Sequence, residues 1–548
     1  MSKILIYLGI FISIASCSSK SEVDLIVFNG NIYTVNDDFD TIEAFAVNNG
    51  KFIDTGTNEQ ILSNYTALDI IDAKQQTVVP GLIDAHAHFM RLGTTMQEAN
   101  LVGTESYDEM IQRVIDFQKN KNFDFIRGRG WDQNDWQDKQ FPTKFELDKL
   151  FPNTPVALTR VDGHAALFNQ AALDLGSVTD NSFVEGGRFI KQKGKLTGVL
   201  VDKAQGLVWR NWPKSTRADN IQALLAAQKE CFKYGLSTVN DAGVERDIIE
   251  LMDSLHESGD LKIRIYAMVA GGNKDNLDYY LERGPSKTDK LNIRSFKISA
   301  DGALGSRGAL LRKPYSDKDD TYGLPVTNMT YFNEAAQRIA LSNYQLNTHA
   351  IGDSANHSVL KTYTKVLQGT TDRRWKVEHA QVVSPLDFQY FKNIIPSIQP
   401  THATSDMYWA EERIGKDRMK GAYAYKKLLD IHGKVALGTD FPVEYVSPFY
   451  TFHAAVARQD GNNYPSEGFQ KHDALTREET LRGMTIWAAY SNFEEDEKGS
   501  IEIGKFADFT VLEKNIMKIP IDEIPSVKVH ATFINGEMVF NHGLGEIN

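Results

Sequence analysis

Eight short apolar segments recur through the centre of the chain, and stretches with helical periodicity separate them. Strands that alternate with helices predict an α/β fold with a parallel sheet, and eight strands are the number that a TIM (β/α)8 barrel requires. The predicted strands are residues 78–79 running into 82–86, 237–240, 263–269, 296–298, 345–349, 376–379, 395–399 and 435–438. The sequence therefore predicts a TIM barrel as the central domain.

A long insertion separates the first two predicted strands. Residues 98–211 are too many for one connecting loop and helix, so we expect them to form an inserted element. Insertions after barrel strands lie at the catalytic face, which favours a role as a lid or part of a substrate pocket. Within GRGWDQNDW at 128–136 and RVDGH at 160–164, the candidate substrate contacts are Trp131, Asp132 and His164. Surface turn chemistry is the alternative explanation for Asp132.

Both ends of the chain have the composition of β-strands. Residues 25–30 and 52–56 near the start resemble residues 509–512 and 529–536 near the end, where Asn535-Gly536 is typical of a hairpin turn. We expect the two ends to pair in one small β-sandwich beside the barrel. The predicted boundaries are 18–78 and 498–548 for the sandwich and 79–497 for the barrel.

The first 17 residues have the features of an export signal. Lys3 precedes an apolar run at 4–14 that is too short to span a membrane, and small residues follow it. The ending IASC at 14–17 resembles a bacterial lipoprotein signal, in which Cys17 becomes the lipid-bearing first residue. A plain secretory signal is the alternative. The lipoprotein interpretation predicts export to the periplasmic face of a bacterial membrane, the outer membrane being expected, with more than one acyl chain giving stable attachment.

Composition and charge narrow the classes of partner. The chain has 60 basic and 72 acidic residues, a net charge of −12, which disfavours binding to a nucleic-acid backbone. If Cys17 is lipidated, Cys231 is the one cysteine left, so no intramolecular disulfide is expected and a buried structural thiol is favoured. We expect a small-molecule substrate. The oligomeric state stays open, a homodimer included.

The segment Asp84-Ala85-His86-Ala87-His88 carries the strongest chemical signal. Residues two apart on a strand point to the same side, so His86 and His88 can present two neutral ring nitrogens to one metal ion. An isolated pair of this kind is often incidental. Here it follows VPG at 79–81 and ends the first predicted strand, at the edge where the catalytic groups of a barrel collect.

Four further candidates stand at the ends of predicted strands. They are Lys297, His349, His379 and Asp440. Each has a structural alternative: an ion-paired lysine, a histidine satisfied within the core, or an aspartate that caps the next helix. These alternatives would all have to coincide on one rim of one barrel, so the set as a whole favours a shared site.

The ordered motifs resemble those of the amidohydrolase superfamily, in particular its N-substituted formamide deformylase-like branch. The motifs are VPGLIDAHAH at 79–88, Lys297 followed by DGALGS at 301–306, THAIGD at 348–353, EHAQ at 378–381, GTD at 438–440 and GKFADF at 504–509. The resemblance covers almost the whole chain after the signal segment. It implies a barrel beside a β-sandwich that both termini build, in agreement with the strand pattern.

The resemblance also implies ligands for one or two divalent metal ions. Matched position by position, they are His86, His88 and Asp440 for the more buried ion and His349 and His379 for the second. Lys297 matches the lysine that becomes carboxylated in this superfamily and bridges the two ions. An ammonium group has no lone pair to offer, whereas a carbamate has two anionic oxygens. Zinc is the expected metal, although mixed nitrogen and oxygen ligands also suit manganese, iron or cobalt.

The implied reaction is hydrolysis of a carbon–nitrogen bond other than a peptide bond. The ion would lower the pKa of water from about 15.7 towards 7, and Asp440 would accept a proton and pass it to the departing nitrogen. Arg307, after the fourth strand, and His402, after the seventh, are further candidate substrate contacts; a structural salt bridge is the alternative for Arg307. Other functions considered are ester or phosphotriester hydrolysis, deamination, and a non-enzymatic binding lipoprotein, which the complete ligand set disfavours.

Overall fold

The computed structural model describes residues 20–121, 123–161, 163, 165–184, 187–368, 370 and 372–544. The chain divides into two compact units. The first comprises Met1–Ala87, Cys231–Gly243 and Lys262–Asn548, and the second comprises His88–Glu230 and Val244–Leu261. The predicted export signal and Cys17 lie outside the described residues.

Eight strands form the barrel of the first unit, and we number them β1 to β8. They are Leu82–Ala87 (β1), Leu236–Val244 (β2), Arg264–Ala270 (β3), Leu291–Ser299 (β4), Gln345–Ala350 (β5), Lys376–His379 (β6), Ile395–Ile398 (β7) and Ala436–Leu437 (β8). They lie side by side in chain order in one sheet, and parallel ladders join β1 to β2 and each strand from β3 to β8 to its neighbour. The predicted barrel is confirmed, and each predicted segment overlaps one of these strands.

Hydrogen bonds bring the chain that leaves β8 onto β1. The amide of Asp440 donates to the carbonyl oxygen of His86 over 2.8 Å. Thr439 donates to the Asp84 carboxylate from its amide (3.0 Å) and from its hydroxyl (2.7 Å). Because β8 is only two residues long, these bonds take the place of a longer ladder, and the first and last strands meet at their carboxyl ends.

One detail differs from the prediction, because residues 78–79 do not continue into β1. The strand Thr77–Pro80 pairs antiparallel with Phe509–Leu512 and parallel with Asn31–Tyr33. Pro80 has no amide hydrogen with which to extend a ladder. Gly81 then approaches the barrel so closely that a Cβ atom there would lie 2.3 Å from the hydroxyl oxygen of Ser237. The proline and glycine therefore separate a terminal strand from a barrel strand.

Two further sheets of the first unit form the predicted sandwich of both termini. The four-stranded sheet has the order Lys51–Gly56, Ala44–Asn48, Ser21–Phe28, Tyr65–Asp72, and the six-stranded sheet has the order Glu537–Asn541, Val529–Ile534, Phe509–Leu512, Thr77–Pro80, Asn31–Tyr33, Thr41–Ile42. Phe45 and Phe52 of the first sheet pack against Phe509 of the second in one buried core. The six-stranded sheet joins strands from the two ends of the chain, as the resemblance of the ends predicts.

The second unit contains a six-stranded sheet of its own. Its strands are Ala99–Asn100, Ile126–Trp131, Val156–Arg160, Ala165–Phe168, Gly187–Gln192 and Lys195–Asp202. Two buried apolar clusters cover this sheet. The long insertion predicted from the sequence is thus folded around its own core. Its helices are Tyr107–Lys121, Phe145–Leu150, Gln170–Leu175 and Gly206–Trp209, and the helix Phe89–Thr95 precedes it.

The remaining helices follow barrel strands or connect the sheets. They are Asn58–Asn64, Arg217–Lys233, Arg246–Ser258, Lys274–Arg283, Met329–Ala340, Asp353–Leu367, Pro400–Asp406, Ala410–Met419, Tyr425–His432, Pro448–Ala457, Arg477–Gly483 and Ile486–Ser491. Cys231 lies in the second of these and is fully buried, as expected for a structural thiol. In the described part of the chain, no helix combines the length and the apolar character needed to cross a membrane.

Candidate metal centre

Six side chains singled out by the sequence meet at the carboxyl ends of the barrel strands. They are His86 on β1, Lys297 on β4, His349 on β5, His379 on β6, His402 in the helix after β7, and Asp440 after β8. Five of the six residues are buried, and His349 is partly buried. A site that collects imidazoles, an amine and a carboxylate in a buried place offers nitrogen and oxygen ligands to a metal ion.

His86 is held by a carboxylate on one ring nitrogen and faces the site with the other. Its Nδ1 lies 2.5 Å from Oε2 of Glu378, and both residues are fully buried. Its Nε2 lies 3.2 Å from Nζ of Lys297 and 3.6 Å from Oδ1 of Asp440. Burial alone would raise the pKa of Glu378, but the adjacent His86 and two lysines hold it at about 2. A carboxylate that orients a histidine in this way is the usual support of a metal ligand.

Lys297 projects from β4 into the same buried space. Burial lowers the pKa of its amine, although Glu378 and Asp440 oppose the shift. The lowered pKa favours the neutral amine over the ammonium ion. A neutral amine is the form that can gain a carboxyl group and so become an anionic ligand.

His349 and His379 form a second group of imidazoles beside His86. Their ring centroids lie 4.5 Å apart, and the ring of His379 lies 4.8 Å from that of His86. Burial lowers the pKa of His349 to about 3 and the pKa of His379 well below its ordinary value. Among the described residues, neither Nε2 of His349 nor Nδ1 of His379 has a hydrogen-bond partner. Buried nitrogens without partners are costly, and a neutral imidazole is the form that binds metal, so both atoms fit a metal ion.

Asp440 connects these groups to His402. Its Oδ2 lies 3.2 Å from Nε2 of His402, whose Nδ1 lies 3.2 Å from Oε1 of Glu444. Burial alone would lower the pKa of His402, but hydrogen bonds to the two carboxylates raise it to about 10. Three candidate ligand atoms, one each from His379, His402 and Asp440, lie within 4.8 Å of one another. Once Nε2 of His402 has lost its proton, this donor set suits a divalent metal such as zinc.

The structure also brings to the site residues to which the sequence assigned no role. Glu378 stands beside His379 in the segment EHAQ at 378–381, and Asp84 begins the segment DAHAH at 84–88. Asp84 accepts bonds from Thr439 and so fixes the segment that carries Asp440. Glu444 follows Asp440 in a loop, where no periodic pattern could have indicated it. For Glu378 and Asp84, adjacency to the ligands was the only available signal.

Three further predicted residues, His88, Trp131 and Asp132, belong to the second unit. His88 is the first residue of the second unit and is the N-cap of the helix Phe89–Thr95. Trp131 is fully buried in the core of the second unit and donates from Nε1 to the carbonyl oxygen of Leu158. Asp132 forms an ion pair with Arg160. In these positions a substrate contact by Trp131 or Asp132 stays a prediction.

Arg307 forms a salt bridge, the structural alternative that the sequence left open, and a substrate contact by it stays a prediction. Its guanidinium donates to both carboxylate oxygens of Asp317, at 3.1 and 2.9 Å, and Arg413 shares that carboxylate. His164 lies outside the described residues. Of the predicted substrate contacts that the structure describes, His402 alone stands among the candidate metal ligands.

Comparison with known proteins identifies the family to which such a site belongs. The profile of the amidohydrolase family matches residues 69–540, which is most of the chain. The chain belongs to the amidohydrolase family. The match spans the barrel, the insertion and the strands of the six-stranded sheet that come after residue 69.

Individual relatives can be aligned with this amidohydrolase over nearly their whole lengths. The protein LONG AFTER FAR-RED 3 of Arabidopsis thaliana is 31% identical, with 94% of this chain and 91% of the relative covered. N-substituted formamide deformylase of Arthrobacter pascens is 25% identical, with 94% and 97% covered. The crystal structure of an uncharacterized metal-dependent hydrolase from Pyrococcus furiosus superposes with a TM-score of 0.76 at 27% identity, covering 90% of this chain and all of that one (100%). This chain therefore shares its fold with a metal-dependent hydrolase of known structure.

Proposed function

We propose that the protein hydrolyses an amide-type, non-peptide carbon–nitrogen bond of a small molecule with the help of one or two divalent metal ions. The observation that carries this proposal is the group of histidines gathered around Asp440, of which His86, His379 and His402 are buried. Residues proposed to hold the metal are His86, His88, Lys297, His349, His379 and Asp440. Zinc is the metal we expect, because neutral imidazoles and carboxylates are its ordinary ligands.

A metal ion bound by these residues would supply Lewis acidity, which would lower the pKa of water from about 15.7 towards 7 and polarise a carbonyl group. The protein supplies the acid and base. Asp440 accepts a proton at its carboxylate as water attacks the carbonyl carbon, and it returns that proton to the nitrogen that departs, because an amine leaves poorly as an anion. The hydrogen bond from the backbone amide of Asp440 to the carbonyl oxygen of His86 and the contact with His402 hold the carboxylate in place for both transfers.

Lys297 is proposed to act as a carbamate. The burial that lowers the pKa of its amine favours the neutral form, from which a carbamate can form. A carbamate would also place an anion beside Nε2 of His86, from which Nζ of Lys297 lies 3.2 Å away. Mass spectrometry of the intact protein under non-denaturing conditions, with and without bicarbonate, tests this proposal. The wild-type protein should show the added mass of a carboxyl group, and Lys297→Met should not.

The choice of a carbon–nitrogen bond draws support from one relative. N-substituted formamide deformylase takes its name from N-substituted formamides, and its similarity extends over 94% of this chain. We therefore propose N-formyl and N-acyl derivatives of amines as the substrate class. The barrel and its ligands are shared by hydrolases of other bonds, so the substrate class rests on this similarity and not on the fold.

Product analysis tests the proposed reaction. The zinc-loaded protein is expected to release free amine from some members of a panel of N-formyl and N-acyl amines, and to release none after treatment with a chelator. Asp440→Asn should lower kcat by about 10²–10⁴-fold, whereas Asp278→Asn at an exposed ion pair should leave kcat unchanged. Cleavage of esters or phosphotriesters without any amine release, or full activity of a metal-loaded Asp440→Asn variant, would contradict the proposal.

Attachment to a membrane is proposed on the sequence pattern alone. The export signal at 1–17 predicts that Cys17 carries lipid and holds the enzyme at the periplasmic face of the outer membrane. Fractionation of expressing cells tests this. The wild-type protein is expected in the membrane fraction, and recovery of both wild type and Cys17→Ser in the soluble fraction would contradict it.

A further inference from the structure

We propose that His402 is an additional ligand of the metal centre and that Glu444 is the residue that positions it. The inference deepens the proposed function and rests on it, because it assumes a metal ion at this site. The resemblance of the motifs implies ligands after β1, β4, β5, β6 and β8, whereas His402 follows β7. Three features of the described residues assign it the additional role.

The first feature is an arrangement that occurs twice: a histidine with a supporting carboxylate on Nδ1 and with Asp440 near Nε2. His86 has Glu378 on Nδ1 and turns Nε2 toward Asp440, at 3.6 Å from Oδ1. His402 has Glu444 on Nδ1 and turns Nε2 toward Asp440, at 3.2 Å from Oδ2. Metal-binding histidines commonly donate the second ring N–H to a carboxylate, which fixes the tautomer and leaves the other nitrogen for the ion. The two histidines thus approach the two oxygens of one carboxylate in the same way.

The second feature is the spacing of the atoms that would bind. Two atoms bonded to one tetrahedral zinc ion at about 2.0–2.1 Å lie roughly 3.3–3.4 Å apart. The 3.2 Å between Nε2 of His402 and Oδ2 of Asp440 is close to this value. One ion can therefore accept both atoms with little movement of either side chain.

The third feature is a second histidine, His379, beside His402. The ring of His379 lies 5.8 Å from that of His402, and its buried Nδ1 has no hydrogen-bond partner among the described residues. Ligand atoms of His379, His402 and Asp440 all fall within 4.8 Å of one another. Three protein ligands with a further position left open are the usual complement of a catalytic zinc ion.

Glu444 is itself held in place, which suits a positioning role. The hydroxyl of Ser405 donates to Oε1 of Glu444 over 2.7 Å, so the carboxylate bridges Ser405 and His402. Both partners belong to the helix Pro400–Asp406. The carboxylate therefore ties this helix to the loop after β8, and it sets the angle of the His402 ring relative to Asp440.

The alternative is that His402 is a cation that only bridges two carboxylates. Metal binding separates the two explanations. Four proteins are compared: wild type, His402→Ala, Glu444→Gln, and His357→Ala as a matched control. His357 also has a carboxylate on Nδ1, that of Asp387 at 2.9 Å, but it lies in the helix Asp353–Leu367 and is not among the candidate ligands.

The readouts are zinc affinity by chelator competition, the visible absorption of the cobalt(II)-substituted protein, and circular dichroism to check folding. Glu444→Gln removes the negative charge beside the His402 ring, and we expect it to weaken zinc binding by about 10–100-fold, the usual loss when the partner of a metal-bound histidine is mutated. His402→Ala should weaken binding at least as much and alter the cobalt spectrum. His357→Ala should match the wild type in both measurements.

Each outcome decides the matter. If the wild type binds zinc and both site variants bind it equally tightly with unchanged cobalt spectra, His402 is not a ligand, and the proposed function stands without it. If the wild type binds no metal at all, the proposed function and this inference both fall. If His402→Ala does not fold, Glu444→Gln carries the test, since glutamine has the same size and keeps an acceptor for Ser405.

Discussion

At the scale of single residues, the backbone at the end of β6 decides which side chains reach the metal centre. His379 has a φ angle of +74° and Ala380 one of +43°, conformations that residues other than glycine adopt rarely. In a regular strand, Glu378 and His379 would point to opposite sides of the sheet. Here Glu378 contacts His86 while the ring of His379 packs on that of His349. The histidines could be predicted because they stand at the ends of predicted strands. The alternation of side chains in a regular strand could not predict that Glu378 also reaches the site, because the backbone departs from strand geometry here.

A prediction at the residue scale concerns Glu378. Glu378→Gln removes the charge that orients His86, and we expect it to weaken metal binding by about 10–100-fold. Chelator competition with the purified variant measures the affinity. Asp417→Asn, at a carboxylate whose side chain is 97% exposed, is the control and should bind metal as the wild type does. Equal affinities of wild type and Glu378→Gln would show that the carboxylate does not support the site.

At the scale of elements, the strand pattern predicted the barrel because each barrel strand is an apolar segment flanked by helical sequence. All eight were found this way, including the two-residue β8. The assignment of residues 78–79 was wrong in detail, since apolar character alone does not tell a strand of the terminal sheet from a barrel strand. The distinction lies in Pro80 and Gly81, which end one ladder and allow the approach to Ser237.

Gly81→Ala tests this junction. A Cβ atom at residue 81 would lie 2.3 Å from Oγ of Ser237 and 3.0 Å from Cβ of Asp508. We expect the crowding to lower the free energy of unfolding by about 1–3 kcal/mol, measured by denaturant titration. Gly206→Ala is the matched control, because a Cβ atom there meets nothing within 4 Å. If both variants were as stable as the wild type, the close approach at Gly81 would not constrain the fold.

At the scale of the whole molecule, the two ends of the chain are tied to the barrel by a buried ion pair within the first unit. Arg264 on β3 donates from Nε and from a terminal nitrogen to the two carboxylate oxygens of Asp508, at 2.6 and 2.9 Å, and both residues are buried. The sequence predicted that the ends would form a sandwich, since their strands look alike. It could not predict this pair, because no local pattern relates two charged residues 244 positions apart.

Asp508→Asn should destabilise the protein strongly. The substitution leaves the Arg264 guanidinium buried without its counter-charge, and we expect the free energy of unfolding to fall by about 3–5 kcal/mol. Thermal unfolding followed by circular dichroism measures the change. Asp180→Asn, at an ion pair with the exposed Lys195, should leave the midpoint unchanged. A midpoint for Asp508→Asn equal to that of the wild type would contradict the structural role of the pair.

The central claim is that a metal ion binds where the barrel strands bring the histidines around Asp440. Elemental analysis of the purified protein, with His86→Ala measured beside it, tests this most directly. We predict about one to two equivalents of a divalent metal per chain in the wild type. The metal content should fall sharply in His86→Ala, because the imidazole that it lacks faces both Lys297 and Asp440 in the wild type. A wild-type protein that holds no metal after reconstitution with divalent ions and bicarbonate, or a variant with the same content as the wild type, would contradict the account.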